Sequence, residues 1–316
     1  MSIALSKEKL GEIVGGRFRD GGGRLTFQGV EFDSRRVRGG ELFVALPGDR
    51  GHGHEYLDQA FAQGAALALV EDPSLLDRGP ERDRLVAVDD SLAAFHRLAG
   101  WWRAALRIPT AAVTGSMGKT TVKELAAAAL LKHSRGTYSF KSFNNHTGVP
   151  YTICQANRAH HWLVLEMGMN HPGELERLST VAAPDVAAIV AVDTVHLHVF
   201  AGVDQIADAK CEIMRGLADG GTLIINGDSA PLAAAVRRAD PAARRRILSA
   251  GYGADCEVRV VETVTLGLSG MRCRISLYGE EFEVQSRLLG RHNGYNICLL
   301  YTSDAADDLL CVDLGG

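Results

Sequence analysis

Paired cysteines are missing from this sequence. Its six cysteines, Cys154, Cys211, Cys256, Cys273, Cys298 and Cys311, are scattered, and no two stand in a C-x-x-C spacing. That argues against a zinc ribbon or a disulfide framework and for reduced thiols in a cytoplasmic protein. Long apolar runs are missing as well: nowhere do 18 apolar residues follow one another, and the opening MSIALSKEKL has no apolar h-region. Neither secretion nor membrane insertion is expected. A strong excess of one charge is also absent. With 34 Lys and Arg against 38 Asp and Glu the net charge is −4, so no nucleic-acid partner is indicated. The basic clusters Arg237-Arg238 and Arg244-Arg245-Arg246 read as the solvated face of a short helix.

What remains is an ordinary globular composition, 46% hydrophobic and 23% charged over 316 residues. That length suggests about two domains. The most informative stretch is IPTAAVTGSMGKTTVKELAAAALL, residues 108–131. Ala111-Ala112-Val113 reads as a buried strand and the Ala/Leu-rich end as a helix. Between them lie Gly115, Ser116, Met117, Gly118, Lys119, Thr120 and Thr121. A Gly-rich turn that opens a helix presents free backbone N–H groups and the positive end of the helix dipole, which suits a phosphate. Lys119 is expected to reach the outer phosphates of a nucleotide and Thr120 to ligate Mg²⁺. The pattern is G-x-x-G-K-T-T rather than the full phosphate-loop motif, because Val113 stands where the motif has its first Gly. An ordinary strand–turn–helix joint with a solvated Lys is the plain alternative.

The rest of the chain reads as α/β. Residues 1–83 are expected as a small N-terminal α/β domain, with a first helix over Leu5–Val14. Residues 84–106 are expected as a linker and helix, and 107–300 as a central, mostly parallel sheet flanked by helices. Apolar runs ending in Glu166, Asp193 and Asn226 read as strands whose polar C-termini lie on the ligand-binding edge. Glu166 is expected to hold Mg²⁺ beside Thr120. The Asn145 loop reads as a turn and Lys210 as a surface lysine. Val258–Leu289 alternates polar and apolar residues and reads as a small antiparallel addition.

Several short segments together resemble the ATP-dependent Mur ligases of peptidoglycan synthesis. They are DSRRV, GELFVALPGDRGHGHEY, GSMGKTTVKEL, FNNHTGVP, LEMGMNHPGEL, VHLHVF, DAKCEI and GRHN, spread over residues 30–297. The resemblance implies a UDP-sugar-binding first domain in which Ser34 and Arg35 hold the uridine end of the substrate. It implies that Gly115, Ser116, Gly118, Lys119, Thr120 and Thr121 bind ATP, with Asn145 near the γ-phosphate and Asn293 near the adenine. Glu166 and His196 fall at the Mg²⁺ sites. Lys210 matches a family lysine that is carbamylated and so becomes a metal ligand. Lys119, Asn145, His196 and Lys210 are the residues implied in catalysis. FNNHTGVP and NHPGE favour the branch that joins D-alanyl-D-alanine to a UDP-N-acetylmuramoyl tripeptide through an acyl phosphate. A sister ligase, a folylpolyglutamate synthase-like enzyme, or a non-catalytic ATP-binding module are the alternatives.

The sequence departs from the family pattern at Met117, at Val192-Asp193, at His198-Val199 and at Cys211. The family's third, Rossmann-like domain is expected to be missing, which leaves an incomplete ligase. Residues 301–316 resemble translated adapter read-through and are expected to be a non-native tail.

Overall fold

The computed structural model describes residues 3–19, 25–48, 51–194 and 199–305, with side chains through Leu299. The chain divides into two compact units, Met1–Arg107 with Pro150–His160, and Ile108–Val149 with His161–Gly316.

In the first unit β1 (Ala4–Ser6) pairs antiparallel with β2 (Thr26–Gln28). The first helix, α1 (Lys7–Val14), starts two residues later than expected. Ser6 caps it, its hydroxyl accepting from Lys9 N at 3.2 Å, so Leu5 stays in the strand. The main sheet runs β3 (Val30–Glu31), β4 (Leu42–Val44), β7 (Leu67–Val70) and β8 (Leu85–Ala87), all parallel. A short hairpin of β5 (Pro47–Gly48) and β6 (Gly51–His52) and the helix α2 (Leu57–Ala62) lie between β4 and β7.

Residues 84–106 hold the expected helix, but not as a linker. β8 is the edge of this sheet, and α3 (Ser91–Leu106), capped by Asp90, belongs to the same unit. Leu85, Val86, Phe95, Leu98 and Trp102 are buried, so the segment completes a core rather than bridging two. The Trp102 indole donates to Ala156 O at 2.9 Å, which ties in the later segment.

The second unit holds a nine-stranded sheet. Its strands are β9 (Thr110–Thr114), β10 (Thr137–Tyr138), β11 (Leu163–Glu166), β12 (Val186–Ile189), β13 (Thr222–Asn226), β14 (Arg246–Gly251), β15 (Val258–Thr265), β16 (Met271–Leu277) and β17 (Glu280–Ser286). Their order is β10-β11-β9-β12-β13-β14-β15-β16-β17. Pairing is parallel from β10 to β15 and antiparallel across β15, β16 and β17, as the alternation in 258–289 predicts. The helices are α4 (Lys119–Leu131), α5 (Gly148–Gln155, which runs into the first unit's segment), α6 (Glu174–Ala182), α7 (Val203–Cys211), α8 (Ala230–Ala239) and α9 (His292–Ala305).

β9, β11, β12 and β13 are almost entirely buried, as strands covered on both faces must be. From β9 the chain moves outward to β10, returns to β11 and then crosses to β12 on the other side. That reversal of direction leaves a crevice at the carboxyl end of β9, where open α/β sheets take their ligands.

Candidate active site

The crevice is filled by the turn that follows β9. Gly118 caps α4 with φ 81°, a left-handed conformation that glycine takes without strain. A Cβ there would stand 2.7 Å from Val190 Cγ1 and 2.8 Å from Asn296 Oδ1. The turn is braced from the next strand: Ser116 N donates to Ala191 O at 2.7 Å, and Asp193 N donates to Ser116 Oγ at 3.0 Å. Lys119 folds back over its own loop, its Nζ donating to Gly115 O at 2.7 Å and to Ser116 O at 3.4 Å. Burial holds the Lys119 ammonium below the usual lysine range, partly offset by the Glu166 carboxylate. A loop so built offers amides and the Lys119 cation to an anion, and among the described residues no carboxylate pairs with Lys119.

Glu166, at the end of β11, is 1% exposed and surrounded by donors. Thr120 Oγ1 donates to its Oε2 at 2.9 Å and Asn144 Nδ2 to its Oε1 at 2.8 Å. Its own N–H donates to Ser139 Oγ at 3.0 Å. Lys123 Nζ stands 3.9 Å from Oε2. Thr120 and Glu166 are thus two hard oxygen donors side by side, the set that Mg²⁺ prefers. Among the described residues no group of three or more His, Cys, Asp or Glu gathers around a possible ion. A cation here would complete its shell with phosphate oxygens and water, which is the habit of Mg²⁺.

Gly115, Ser116, Lys119, Asn145 and Lys210 line one cavity of about 340 Å³, together with Asn144, His146, Asn170, His171, Glu174 and Arg177. Asn145 is committed on one side: its Oδ1 accepts from Thr147 N at 3.2 Å, Thr147 Oγ1 at 3.0 Å and Gly148 N at 2.9 Å. It caps the turn into α5. Glu174 accepts from Asn170 N at 2.7 Å, and Glu212 accepts from Gly173 N at 2.8 Å, so the α6 entry is fixed by two carboxylates.

Lys210 departs from its reading as a surface lysine. It is 2% exposed, at the last turn of α7. Burial first and the Lys119 charge second bring its pKa down to about 7. The α7 periodicity explains the difference: Ile206, Ala207 and Ala209 face inward, and Lys210 shares their side.

Other expected site residues lie apart from this cavity. Thr121 follows Thr120 in the first turn of α4 and is not among the lining residues. Asn293 is buried at the start of α9 and occupied locally, its Nδ2 donating to Leu289 O at 2.8 Å and its Oδ1 accepting from Asn296 Nδ2 at 2.7 Å. Ser34 and Arg35 are in the first unit. Ser34 is buried and donates to Gln59 Oε1 at 2.7 Å, whereas Arg35 is exposed and forks onto Asp33 with two 2.8 Å bonds. Neither lines a cavity that the described residues form in that unit, bounded by Glu31, Arg36, Arg38, Glu41 and Tyr151. His196 lies outside the described residues. Asn144 and Lys123, given no site role by the sequence, both approach Glu166. Lys123 stands three residues after Thr120 and so shares its helix face, a spacing that signals it.

Two family models match the chain: Mur ligase middle domain over residues 113–302, and Mur ligase family, catalytic domain, over residues 26–100. The UDP-N-acetylmuramoyl-tripeptide–D-alanyl-D-alanine ligase of Escherichia coli (strain K12) is 35% identical over 227 residues, covering 72% of this chain and 49% of that protein. The chain therefore spans about half the length of the curated relatives it matches. A crystal structure of MurF from Acinetobacter baumannii superposes with a TM-score of 0.85 at 27% identity, over 96% of this chain and 65% of that one. MurF ligase from Thermotoga maritima in complex with ADP superposes with a TM-score of 0.77 at 25% identity, over 90% and 65%.

Proposed function

The chain belongs to the Mur ligase family, and from that premise we propose that it is the substrate- and ATP-binding portion of a carboxylate–amine ligase. The reaction proposed is the joining of D-alanyl-D-alanine to a UDP-N-acetylmuramoyl tripeptide in peptidoglycan precursor synthesis, which is what the names of its relatives state for them.

One observation carries the reading. A glycine-capped loop, an ammonium and the Thr120–Glu166 pair meet at the switch point of a parallel sheet, beside one cavity. A carboxylate is a poor acyl donor, so it must first be activated. Attack of the peptide's terminal carboxylate on the γ-phosphate of ATP gives an acyl phosphate and ADP. The amine of D-alanyl-D-alanine then attacks the acyl carbon, forming the amide and releasing phosphate. Phosphoryl transfer asks a protein for positioning and for neutralisation of anionic oxygens more than for a covalent partner. In this reading the loop amides and Lys119 hold the phosphate oxygens. Thr120 and Glu166 hold Mg²⁺, which supplies charge neutralisation between phosphates when bound. Asn145 orients the γ-phosphate, Asn293 lies toward the adenine, and Ser34 and Arg35 take the uridine end. Localisation to the cytoplasm follows from where ATP and the UDP-linked precursor are found.

Lys210 has a part of its own. Among the described residues no carboxylate pairs with its amine, and burial, with the neighbouring Lys119 charge, favours loss of its proton. An unprotonated amine adds to CO₂: an N–C bond forms, one proton leaves, and the side chain becomes an anionic carbamate. Such a group would face Lys119 as a counter-charge and serve as a further oxygen ligand for a second Mg²⁺.

The test is calorimetry of the chain with a non-hydrolysable ATP analogue and Mg²⁺, paired with phosphate release by the full-length gene product against a panel of amines. Release that depends on D-alanyl-D-alanine and vanishes in Lys119→Ala supports the assignment. Preference for another amine acceptor moves the chain to a sister ligase. Binding with no turnover on any acceptor leaves a nucleotide-binding module.

A further inference from the structure

Lys123 is wholly buried, although a lysine is costly to bury unless its charge is answered. It sits one turn beyond Thr120 on α4. Its Nζ donates to Ser139 O at 2.9 Å and to Lys141 O at 2.9 Å, and pairs with Glu124 Oε1 at 2.7 Å. Lys141 takes φ 48°, a left-handed conformation uncommon for a residue with a side chain, and its carbonyl is one of the two that Lys123 holds. The loop pinned in this way is the one that supports Glu166. Ser139 Oγ accepts the Glu166 N–H, and Asn144 Nδ2 donates to Glu166 Oε1. The ammonium itself stands 3.9 Å from Glu166 Oε2.

We propose that Lys123 is a positioning residue of the phosphate site. Its buried ammonium latches the 139–144 loop to the phosphate-loop helix and so fixes the Glu166 carboxylate for a nucleotide-bound divalent cation. An ammonium has donors and no acceptor, so it cannot ligate the ion and acts only through its neighbours. Packing alone does not call for a lysine here, since an apolar side chain would fill the same space without burying charge. The inference rests on the nucleotide reading given above.

The experiment uses the whole chain, a non-hydrolysable ATP analogue and Mn²⁺ in place of Mg²⁺. Analogue binding is measured by calorimetry in EDTA and again with Mn²⁺, and free Mn²⁺ is followed by electron paramagnetic resonance. In Lys123→Met the EDTA affinity stays at the wild-type value, because Lys119 and the loop amides are untouched. The tightening brought by Mn²⁺ falls roughly tenfold to a hundredfold, the range for residues that orient metal ligands. Lys123→Gln keeps a donor for the carbonyls without the charge and shows a smaller loss in the same direction. Unchanged Mn²⁺ tightening in Lys123→Met overturns the proposal. Equal weakening with and without Mn²⁺ overturns it too, as does failure of both variants to fold, since either result marks a purely structural lysine. A wild-type chain that ignores the analogue overturns the function proposed above, and this inference with it.

Discussion

Thr120 Oγ1 donates to Glu166 Oε2 across 2.9 Å, joining the first turn of α4 to the carboxyl end of β11. The bond links the phosphate-loop helix to the strand beside it and holds the two oxygen ligands for a cation side by side. Thr120→Val keeps the shape and deletes the donor. It is expected to cost about 1 kcal/mol of stability, the net worth of such a bond. Urea unfolding of both chains measures this; a variant as stable as wild type would show that the bond is neutral.

Lys119→Ala removes the ammonium that folds over the loop. Hydrogen bonds to charged groups are worth about 1.5–3 kcal/mol, so affinity for an ATP analogue should fall roughly tenfold to a hundredfold. Calorimetry decides the point, and equal affinity in the two chains would refute it.

Gly118→Ala probes the turn itself. The added Cβ meets Val190 and Asn296 under 3 Å, at φ 81°. A loss of about 1–2 kcal/mol is expected from the left-handed backbone alone, with more from the clash. Thermal unfolding with a midpoint equal to wild type would contradict this.

Lys210 links stability to pH. Its pKa falls from 10.5 unfolded to about 7 folded. The unfolded chain therefore binds the extra proton between those values, and stability rises with pH across that window. Lys210→Met lacks the effect. In CO₂-free buffer its advantage over wild type should shrink by about 1 kcal/mol per pH unit from pH 7 upward, the upper limit being set by one proton. Parallel unfolding curves at every pH would rule this out.

His54 provides an acid-sensitive point in the first unit. Its Nε2 accepts from Glu71 N at 2.9 Å, which requires the neutral ring, and burial with the neighbouring His52 lowers its pKa below 6.5. A depressed folded pKa gives stability that is complete above 6.5 and lost as pH falls below it. His54→Gln, which cannot titrate, should flatten that decline. Circular dichroism melts between pH 7 and 5 follow it, and an equal decline in both chains would assign the acid loss elsewhere.

The sequence carried the phosphate turn well because the reasons are local. Glycine at 118, lysine at 119 and a short apolar strand before them admit few other geometries. The antiparallel addition was equally legible, since β16 and the start of β15 alternate buried and exposed residues. What failed to show was whatever depends on distant segments. Lys210 and Lys123 look like surface charges until neighbouring elements cover them. Asn144, rather than its neighbour Asn145, bonds Glu166, and no composition rule separates two adjacent amides. Asn293 is occupied by Leu289 and Asn296, partners that only the turn into α9 supplies. Within residues 84–106 the helix was legible, whereas β8, three residues long, becomes a sheet edge only through its pairing with β7.

The first unit is not closed by its first 107 residues, because Pro150–His160 returns to it. Tyr151 donates to Glu31 Oε2 at 3.1 Å, and Ala156 accepts the Trp102 indole. A nascent chain must therefore emerge past His160 before this unit can satisfy its own buried groups. The last contacts of the first unit's core therefore form only once residues 108–149 of the second unit have been synthesised.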